Sequence, residues 1–447
     1  MQTYIRILLD SRKTRCYIIC KRMFSLKEEP MGRVILHADA NCFYASVECL
    51  YRPQYRGRAL AVCGDPEARH GIVLTATYPA KRAGVKVGMA IWQARQVCPS
   101  LICVPPDYAL YMHFSALMSD IWHEYSDRVE AFGLDESWID VSGYDTDIKK
   151  GALLADVLRE RVKKELGITV SIGVADNKVF AKLGSDMKKP DGTTAIWPGH
   201  MRDTVWPLPV SDLLYVGPAT ARKLARLNIR TVGGLALADE RLIASVLGKN
   251  GIMLQHFARG EDASPVQNIT FENVVKSIGN SVTAPRDLET EEDAFCVLTL
   301  LCESVGARLR EHGFLCSGLS VGERSTELAW KGHQTRLNVP TDLNCDLLDC
   351  AKKQFHRCCA ENLPLRGLSV CAFDLTPASA PRQLCFEEDA VKRLRAEQLD
   401  RAVDTVRARF GPGALLRGNV LQRPVFSSIH PKEDHTIHPV ALLRGGA

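Results

Sequence analysis

The sequence predicts a multidomain α+β protein, and three successive patterns along the chain support that prediction. Up to Trp197, short apolar runs typical of buried strands alternate with segments of helical spacing. From Pro207 to about Val266 the pattern is helical and local. After a polar link, the order becomes strand, helix, strand, strand, helix, strand over 276–374, which would bury one sheet face under two helices.

The first part predicts a mixed, largely antiparallel sheet. The apolar runs that predict strands start at Val34 and continue at 59–63, 71–78, 101–104, 129–132, 138–141 and 170–174. The 3.6-residue spacing predicts helices at 45–51, 81–84, 90–98, 108–125, 153–166 and 178–187. Gly167 is the expected stop of the helix over 153–166.

The last part predicts a smaller sheet domain and a tail. Its strands are expected at 276–282, 318–328, 329–339 and 366–374, with helices at 291–311 and 342–360. Beyond Pro381 we expect one amphipathic helix over 391–410, then a flexible end that contains Pro, Gly and His.

Composition and charge are those of a soluble globular protein. The 447 residues are 46% hydrophobic and 24% charged, with a formal net charge of +5. Residues 1–30 hold seven Lys/Arg against three Asp/Glu, so they supply four of those five charges. Any nucleic-acid surface must therefore be a local patch. Because residues 1–30 lack the apolar core of a signal peptide, we expect them to be a disordered extension or the product of a wrongly assigned start codon.

The cysteines indicate a reducing compartment. Sixteen cysteines are scattered without the spacing of a zinc site, and we expect reduced thiols in a cytoplasmic protein. No apolar run is long enough to span a bilayer, so no membrane association is expected.

Two acidic clusters about a hundred residues apart are candidate metal ligands. Asp39 lies in VILHADANCFY, and Asp135 and Glu136 lie in FGLDESWIDV, each at the edge of an apolar run. Carboxylates that meet at strand ends repel one another unless cations hold them, and such ligands suit Mg²⁺. Alternatively, Asp39 is a turn residue and the Asp-Glu pair faces solvent. Adjacent strand residues diverge, so Asp135 and Glu136 converge only in a bend.

A helical hairpin is a candidate phosphate-binding unit. In VGPATARKL, the turn at Gly217 and Ala219 opens a helix whose N–H groups form a positive end. Such a unit binds a DNA backbone without reading sequence. Glycine-containing turns between helices also occur in ordinary bundles.

Tyr44 follows Asp39 by five residues and is a candidate for contacting a bound nucleotide. An aromatic ring there would leave no room for a 2′-hydroxyl, whereas the alternative makes Phe43 and Tyr44 plain core aromatics. Further polar candidates for a triphosphate are Tyr78, Lys81, Arg82 and Lys189, unless they form a solvated face.

Taken in order, these motifs resemble the Y-family translesion DNA polymerases, most of all the DNA polymerase IV branch of Gram-positive bacteria. The resemblance covers about 31–408 and rests on HADANCFYASVE, LTATYPAKRAGV, PPDY, FGLDESWIDVSG, GVADNKVFAKLGSDMKKPDG, the hairpin and KSIGNSVTAPRDL. It implies a right-hand polymerase with a palm at 31–42 and 107–197, small fingers at 43–106, a helical thumb at 198–266, a linker at 267–275, a βαββαβ little finger at 276–380 and a tail at 381–447.

The resemblance also implies residue roles. Asp39 and Asp135 would bridge two Mg²⁺ ions, with Glu136 as the third catalytic carboxylate and Ala40 giving its backbone carbonyl. Tyr44 matches the steric gate against ribonucleotides. The implied triphosphate-binding residues are Phe43, Tyr44, Tyr78, Lys81, Arg82 and Lys189. The candidate DNA contacts are Gly217, Ala219, Lys276, Arg324, Lys331 and Arg336.

Three positions depart from the family pattern. Lys81 stands where many relatives carry Arg. A lysine ammonium cannot make the bidentate contact of a guanidinium, so the triphosphate contact is expected to be weaker or shared with Arg82. Asn41 replaces a frequent second acid that is not a metal ligand in the family. Ala219 sits in the hairpin turn and makes its N–H groups less open.

The tail contains a candidate partner-binding peptide. Gln383, Leu384 and Phe386 belong to QLCF, which resembles a shortened form of the Gln-Leu-x-Leu-Phe peptide that binds the sliding clamp. An extended peptide with alternating anchors suits an apolar groove. The alternative is a linker that packs on its own domain.

The resemblance implies a monomeric, cytoplasmic translesion polymerase with primer-template DNA, dNTPs and a sliding clamp as partners. It would add dNTPs to a primer 3′-OH by a two-metal mechanism, with low fidelity and no proofreading. Two alternatives stay open: a DNA-binding accessory protein that lost catalysis, and an RNA-making or cyclising enzyme on a similar palm.

Overall fold

A computed structural model of the chain describes residues 32–64, 71–143, 147–268, 274–380 and 390–432. Contacts divide these residues into two compact units. The first lies within Met1–Asn41, Met118–Ala131 and Glu136–Ile269, and the second within Cys42–Leu117, Phe132–Asp135 and Thr270–Ala447. The first unit thus combines most of the predicted palm with the predicted thumb, and the second combines the predicted fingers with the predicted little finger.

The elements up to residue 268 follow the predicted order, with ends shifted by a few residues. In chain order they are β1 Ile35–Ala40, α1 Phe43–Tyr51, β2 Leu60–Cys63, β3 Val73–Ala76, α2 Tyr78–Arg82, α3 Ile91–Val97, β4 Ile102–Val104, α4 Tyr108–His123, β5 Val129–Ala131, β6 Glu136–Asp140, α5 Ile148–Leu166, β7 Val170–Ala175, α6 Lys178–Met187, β8 Thr193–Ala195, α7 Met201–Thr204, α8 Pro218–Arg226, α9 Val232–Leu237 and α10 Glu240–Ala258. The short strand β8 was not predicted.

The first unit is built on a five-stranded sheet in the order β5-β6-β1-β7-β8. Its neighbours are antiparallel except for the parallel pair β7 and β8, so a mixed, largely antiparallel sheet is confirmed for these strands. The predicted strands at 59–63, 71–78 and 101–104 form a separate sheet instead. The central strand β1 is buried over its whole length. Its register pairs Asp39 with Glu136 on one side and with Ser171 on the other.

Helices α5 and α6 pack on this sheet, and side-chain caps set where they begin. The Asp147 carboxylate accepts a hydrogen bond from the Lys150 N–H at 2.7 Å, and the Asn177 side chain accepts one from the Phe180 N–H at 2.8 Å. Helix α5 ends at Gly167, whose φ of 72° is left-handed, so the predicted stop is confirmed.

Gly173 on β7 allows a close approach of α6 to the sheet. A Cβ atom at this position would lie 1.9 Å from the Ala181 carbonyl oxygen and 2.4 Å from the Ser185 nitrogen. No larger residue fits without moving the backbone of one element. This contact sets α6, and with it Lys182, beside β1.

The second unit contains two sheets. The smaller has the strand order β3-β2-β4. The larger has the order β11-β10-β12-β9, and all its neighbours are antiparallel. Its elements are β9 Ser277–Leu288, α11 Glu291–Glu311, β10 Phe314–Ser325, β11 Trp330–Thr341, α12 Asn344–Cys358 and β12 Leu365–Pro377. The predicted βαββαβ order is confirmed, and α11 and α12 cover one sheet face.

A C-terminal layer, residues 390–432, packs against this domain. It consists of α13 Ala390–Phe410, α14 Gly418–Leu421 and α15 Pro424–Ser427. Val420 and Phe426 are fully buried in the domain core. Charged pairs tie the layer to α11, namely Asp404 with Arg310 at 2.6 Å and Arg407 with Glu303 at 2.8 Å. The expectation of a flexible end was therefore wrong for residues 411–432, because their apolar side chains fill a packed core.

The described cysteines are free thiols, as expected of a reduced protein. None of the helices in the described part of the chain combines the length and apolar composition that crossing a membrane requires.

Candidate functional site

Two carboxylates face each other across the centre of the first unit's sheet. Asp39 near the end of β1 and Glu136 at the start of β6 are direct antiparallel partners, so their side chains lie on the same face. Asp39 is only 7% exposed, and the Glu136 side chain is 20% exposed. Two like charges so close and so poorly hydrated require cations beside them.

Two lysines supply those cations. The Lys182 Nζ lies 2.6 Å from Glu136 Oε2 and 3.3 Å from Asp39 Oδ2. The Lys189 Nζ lies 2.8 Å from Asp39 Oδ2. Both ammonium groups also contact Asp186, at 3.4 and 2.8 Å respectively. Burial alone lowers the pKa of each lysine, but the charges of these carboxylates outweigh it and raise the pKa of both.

A buried histidine lies behind Glu136. His37 Nε2 is 3.2 Å from Glu136 Oε2. Its Nδ1 lies 2.9 Å from the Ser185 Oγ, and its ring meets Trp138 edge-on at 5.2 Å. Burial lowers the pKa of His37, which keeps the imidazole neutral at pH 7.

Glu136 is ionised in this setting. Burial raises its pKa, but contact with His37 and the charge of Lys182 outweigh that effect and lower the pKa of Glu136 to about 2. Ionised carboxylate oxygens are the ligands that hard divalent cations prefer, so Asp39 and Glu136 fit such an ion. Within the described residues, no group of three or more His, Cys, Asp or Glu side chains is arranged to hold a metal.

The other two predicted metal ligands, Asp135 and Ala40, are the chain neighbours of Glu136 and Asp39. Asp135 ends a bend that starts at Gly133, whose φ is 89°, so the bend that the sequence required before Glu136 is confirmed. Asp135 belongs to the second unit, and its metal role stays a prediction. Ala40 is the last residue of β1, where it pairs with Val170 of β7, and the metal role of its carbonyl also stays a prediction.

The second unit holds the predicted steric gate in an aromatic cluster. The Tyr44 ring on α1 stacks on Tyr111 of α4, with centroids 4.3 Å apart and planes 13° apart. Tyr108 meets the Tyr44 ring edge-on at 6.0 Å. The Tyr111 hydroxyl donates a 2.6 Å hydrogen bond to the buried Glu48 carboxylate. These contacts fix the position of the half-buried Tyr44 ring.

Burial in this cluster affects the Tyr44 hydroxyl and the Phe43 ring. Burial, together with the negative charge of Asp135, raises the pKa of Tyr44 to about 12, so its hydroxyl stays protonated at pH 7. Phe43 is 2% exposed and packs on both Tyr44 and Tyr111. That is the geometry of the core-aromatic alternative, and a triphosphate contact by Phe43 stays a prediction.

The predicted triphosphate residues fall on two units. Tyr78 begins α2, and Lys81 and Arg82 end it with exposed side chains. The Lys81 Nζ lies 5.3 Å from the centroid of the Tyr78 ring, a cation–π contact. Lys189 belongs to the first unit, where it contacts Asp39.

The predicted helical hairpin is formed by α8 and α9, with five residues between them. Gly217 precedes α8 as its N-terminal cap, and Ala219 lies in the first turn. Both residues are exposed, so the positive end of α8 faces solvent. Their DNA contacts stay predictions.

The larger sheet of the second unit has one open face, and its register sorts the predicted DNA contacts. Arg324 pairs with Trp330 and reaches Thr283 Oγ1 at 3.4 Å, on the face that none of the described helices covers. Lys331 pairs with the buried Glu323, on the face that α11 and α12 cover. Lys331 therefore does not lie beside Arg324.

Arg336 agrees with an open-face position, whereas Lys276 lies two residues before Ile278, which is buried in the core on the helix-covered face. Arg336 pairs with Gly318, which lies an even number of residues from Arg324 along β10. The Arg336 side chain is 85% exposed. Lys276 is exposed and precedes β9. The predicted clamp-binding residues Gln383, Leu384 and Phe386 lie outside the described residues.

Sequence reasoning missed three side chains that support the site. Lys182 and His37 contact Glu136, and Tyr111 carries the Tyr44 ring. The Lys182-to-Asp186 spacing of four on a helix was visible in the sequence as an ion-pair pattern. Nothing local marks His37 or Tyr111, whose partners come from distant parts of the chain.

Comparison with known protein families gives two matches, which lie on either side of residues 187–274. The model of the impB/mucB/samB family matches residues 38–186, and that of the impB/mucB/samB family C-terminal domain matches residues 275–385. The first match contains Asp39, Asp135 and Glu136, and the second contains the four-stranded sheet.

Similar whole proteins and structures are also known. DNA polymerase IV of Acetivibrio thermocellus is 44% identical over 392 residues, which cover 88% of this chain and 98% of that protein. DNA polymerase IV 1 of Bacillus subtilis is 37% identical over 397 residues, 88% of this chain and 94% of that protein. A Y-family DNA polymerase chimera superposes with a TM-score of 0.68 at 25% identity, over 77% of this chain and 99% of that one.

Proposed function

Because this chain belongs to the impB/mucB/samB family, within the DNA polymerase IV branch of the Y-family DNA polymerases, we propose that it extends a DNA primer on a DNA template. It is a DNA-directed DNA polymerase of the translesion class. Low fidelity and the lack of proofreading are typical of this family. Its partners are primer-template DNA and deoxynucleoside triphosphates.

The observation that supports this function best is the direct pairing of Asp39 with Glu136 at the centre of the family-matched sheet. Members of the family use a divalent metal, and these carboxylates would hold it together with Asp135 and the Ala40 carbonyl. We infer that the metal is Mg²⁺, with two ions per site. Bound there, the metal would lower the pKa of the primer 3′-hydroxyl and neutralise charge on the leaving pyrophosphate.

The chain's own residues position the substrates. Lys189, with Tyr78 and the Lys81–Arg82 pair, would bind the triphosphate through charge-assisted hydrogen bonds. The Tyr44 ring would lie against the sugar and exclude a 2′-hydroxyl by collision. Because the ring is held by Tyr111 and Tyr108, it cannot yield to the larger sugar without disturbing a packed cluster.

Replacing the carboxylates tests catalysis. We expect Asp39→Asn, Asp135→Asn and Glu136→Asn each to lower primer extension in Mg²⁺ by at least about 10²–10³-fold, the usual cost of one preorganised electrostatic group. Asp120→Asn, which changes an exposed acid on α4, is the control and should keep full activity. Wild-type protein without extension would favour an accessory DNA-binding role, and an active Asp135→Asn variant would refute that residue's assignment.

Replacing Tyr44 tests sugar selection. Tyr44→Ala removes the ring, and we expect it to reduce discrimination against ribonucleotides by about 1–3 kcal/mol, the size of ordinary steric selection. The measurement is kcat/KM for a ribonucleotide and its deoxy counterpart in single-nucleotide insertion. Tyr44→Phe keeps the ring and should keep the ratio. A ribo/deoxy ratio that Tyr44→Ala leaves unchanged would exclude the gate and favour an enzyme that uses ribonucleotides.

The open face of the four-stranded sheet tests DNA binding. We propose that Arg324 and Arg336 on this face, and Lys276 ahead of β9, contact phosphates. Arg324→Ala should then make the negative slope of log K against log salt shallower by about 0.9, the contribution of one phosphate contact. Lys331→Ala removes one charge from the neighbouring strand on the opposite face and is the matched control. DNA titrations over a range of salt measure both, and equal slopes for the two variants would contradict the assignment.

The tail tests partner binding. We propose that Gln383, Leu384 and Phe386 dock in an apolar groove of the sliding clamp. Deleting residues 383–386 should abolish stimulation of synthesis by the clamp and leave basal primer extension intact. Parallel loss of basal and stimulated synthesis would mean that the peptide supports the fold instead.

A further inference from the structure

Lys182 lies between the two facing carboxylates. Its ammonium is 2.6 Å from Glu136 Oε2 and 3.3 Å from Asp39 Oδ2, and the side chain is 15% exposed. It therefore occupies the position between Asp39 and Glu136 that a cation shared by these acids would take. An ammonium and a divalent ion repel each other strongly at such short range in a poorly hydrated site.

Lys182 also has a second partner that lies outside the pair. Asp186, four residues along α6, lies 3.4 Å from the same ammonium, and its side chain is 47% exposed. A lysine side chain is long and flexible, so its ammonium can shift toward Asp186 without leaving the helix face. In the structure the ammonium contacts all three carboxylates at once, so a shift toward Asp186 would keep one ion pair while the ammonium leaves Asp39 and Glu136.

We propose that Lys182 is an internal competitor of the divalent metal: its ammonium neutralises Asp39 and Glu136, and it must shift toward Asp186 when a metal binds. This inference rests on the proposed metal role of the two carboxylates. Lys182 is thereby a positioning residue that sets how tightly the site binds the metal before DNA and nucleotide arrive. Asp186 lowers the cost of metal entry because it receives the displaced charge.

The test measures metal binding directly, without turnover. Free Mn²⁺ is followed by electron paramagnetic resonance in titrations of the full chain, with neither DNA nor nucleotide present. Lys182→Met keeps most of the length of the unbranched side chain and removes its charge, and we expect Mn²⁺ to bind at least about tenfold more tightly than in wild type. Asp186→Asn removes the alternative partner, and we expect Mn²⁺ to bind more weakly.

Two controls separate this effect from net charge and from folding. Lys178→Met removes a lysine one turn earlier on α6 that pairs with Glu130 at 2.7 Å, and its Mn²⁺ affinity should stay within about threefold of wild type. Lys182→Arg keeps the charge and should stay close to wild type as well. Agreement of circular dichroism spectra among the variants establishes that each is folded.

The outcomes distinguish this inference from the function on which it rests. Equal or weaker Mn²⁺ binding by Lys182→Met than by wild type would overturn the competition. Tighter binding by Lys178→Met to the same extent would overturn it too, because net charge would then be the cause. No Mn²⁺ binding by any of the proteins would overturn the competition, whereas loss of primer extension in Asp39→Asn would still support the proposed polymerase function.

Discussion

The charge balance around Asp39 and Glu136 is the constraint on which the candidate site depends. Antiparallel pairing of β1 and β6 sets these acids opposite each other in a poorly hydrated position, where their repulsion is costly. Lys182 and Lys189 offset it, and α6 must approach β7 closely to bring Lys182 there. Gly173 makes that approach possible because it has no Cβ atom. The lack of a side chain on β7 therefore allows Lys182 to neutralise the carboxylates.

Rigidity in the second unit has a different origin, in aromatic packing. Tyr44 is stacked on Tyr111, whose hydroxyl is anchored on Glu48, and Tyr108 closes the cluster edge-on. The proposed steric gate requires such a support, since a ring that could rotate away would admit the larger sugar. Carboxylates held by ion pairs and a ring held by packing are two ways of fixing functional groups before a substrate binds.

The two faces of the sheet in the four-stranded domain have different surroundings. Helices α11 and α12 and the C-terminal layer bury one face, with Phe426 and Val420 completing the core. The other face stays open and carries Arg324. Because strand residues alternate between faces, neighbouring basic residues such as Arg324 and Lys331 have different surroundings despite similar sequence positions.

The sequence by itself determined the fold class, the order of nearly all elements and the family, because hydrophobic periodicity and contiguous motifs are local properties of a chain. It also identified Asp39, Glu136 and Tyr44 as candidates. Only the tertiary structure decided what surrounds them: Lys182 between the acids, His37 behind Glu136 and Tyr111 under Tyr44. These neighbours come from elements distant in sequence, and sheet register and helix packing, which no local pattern encodes, bring them together.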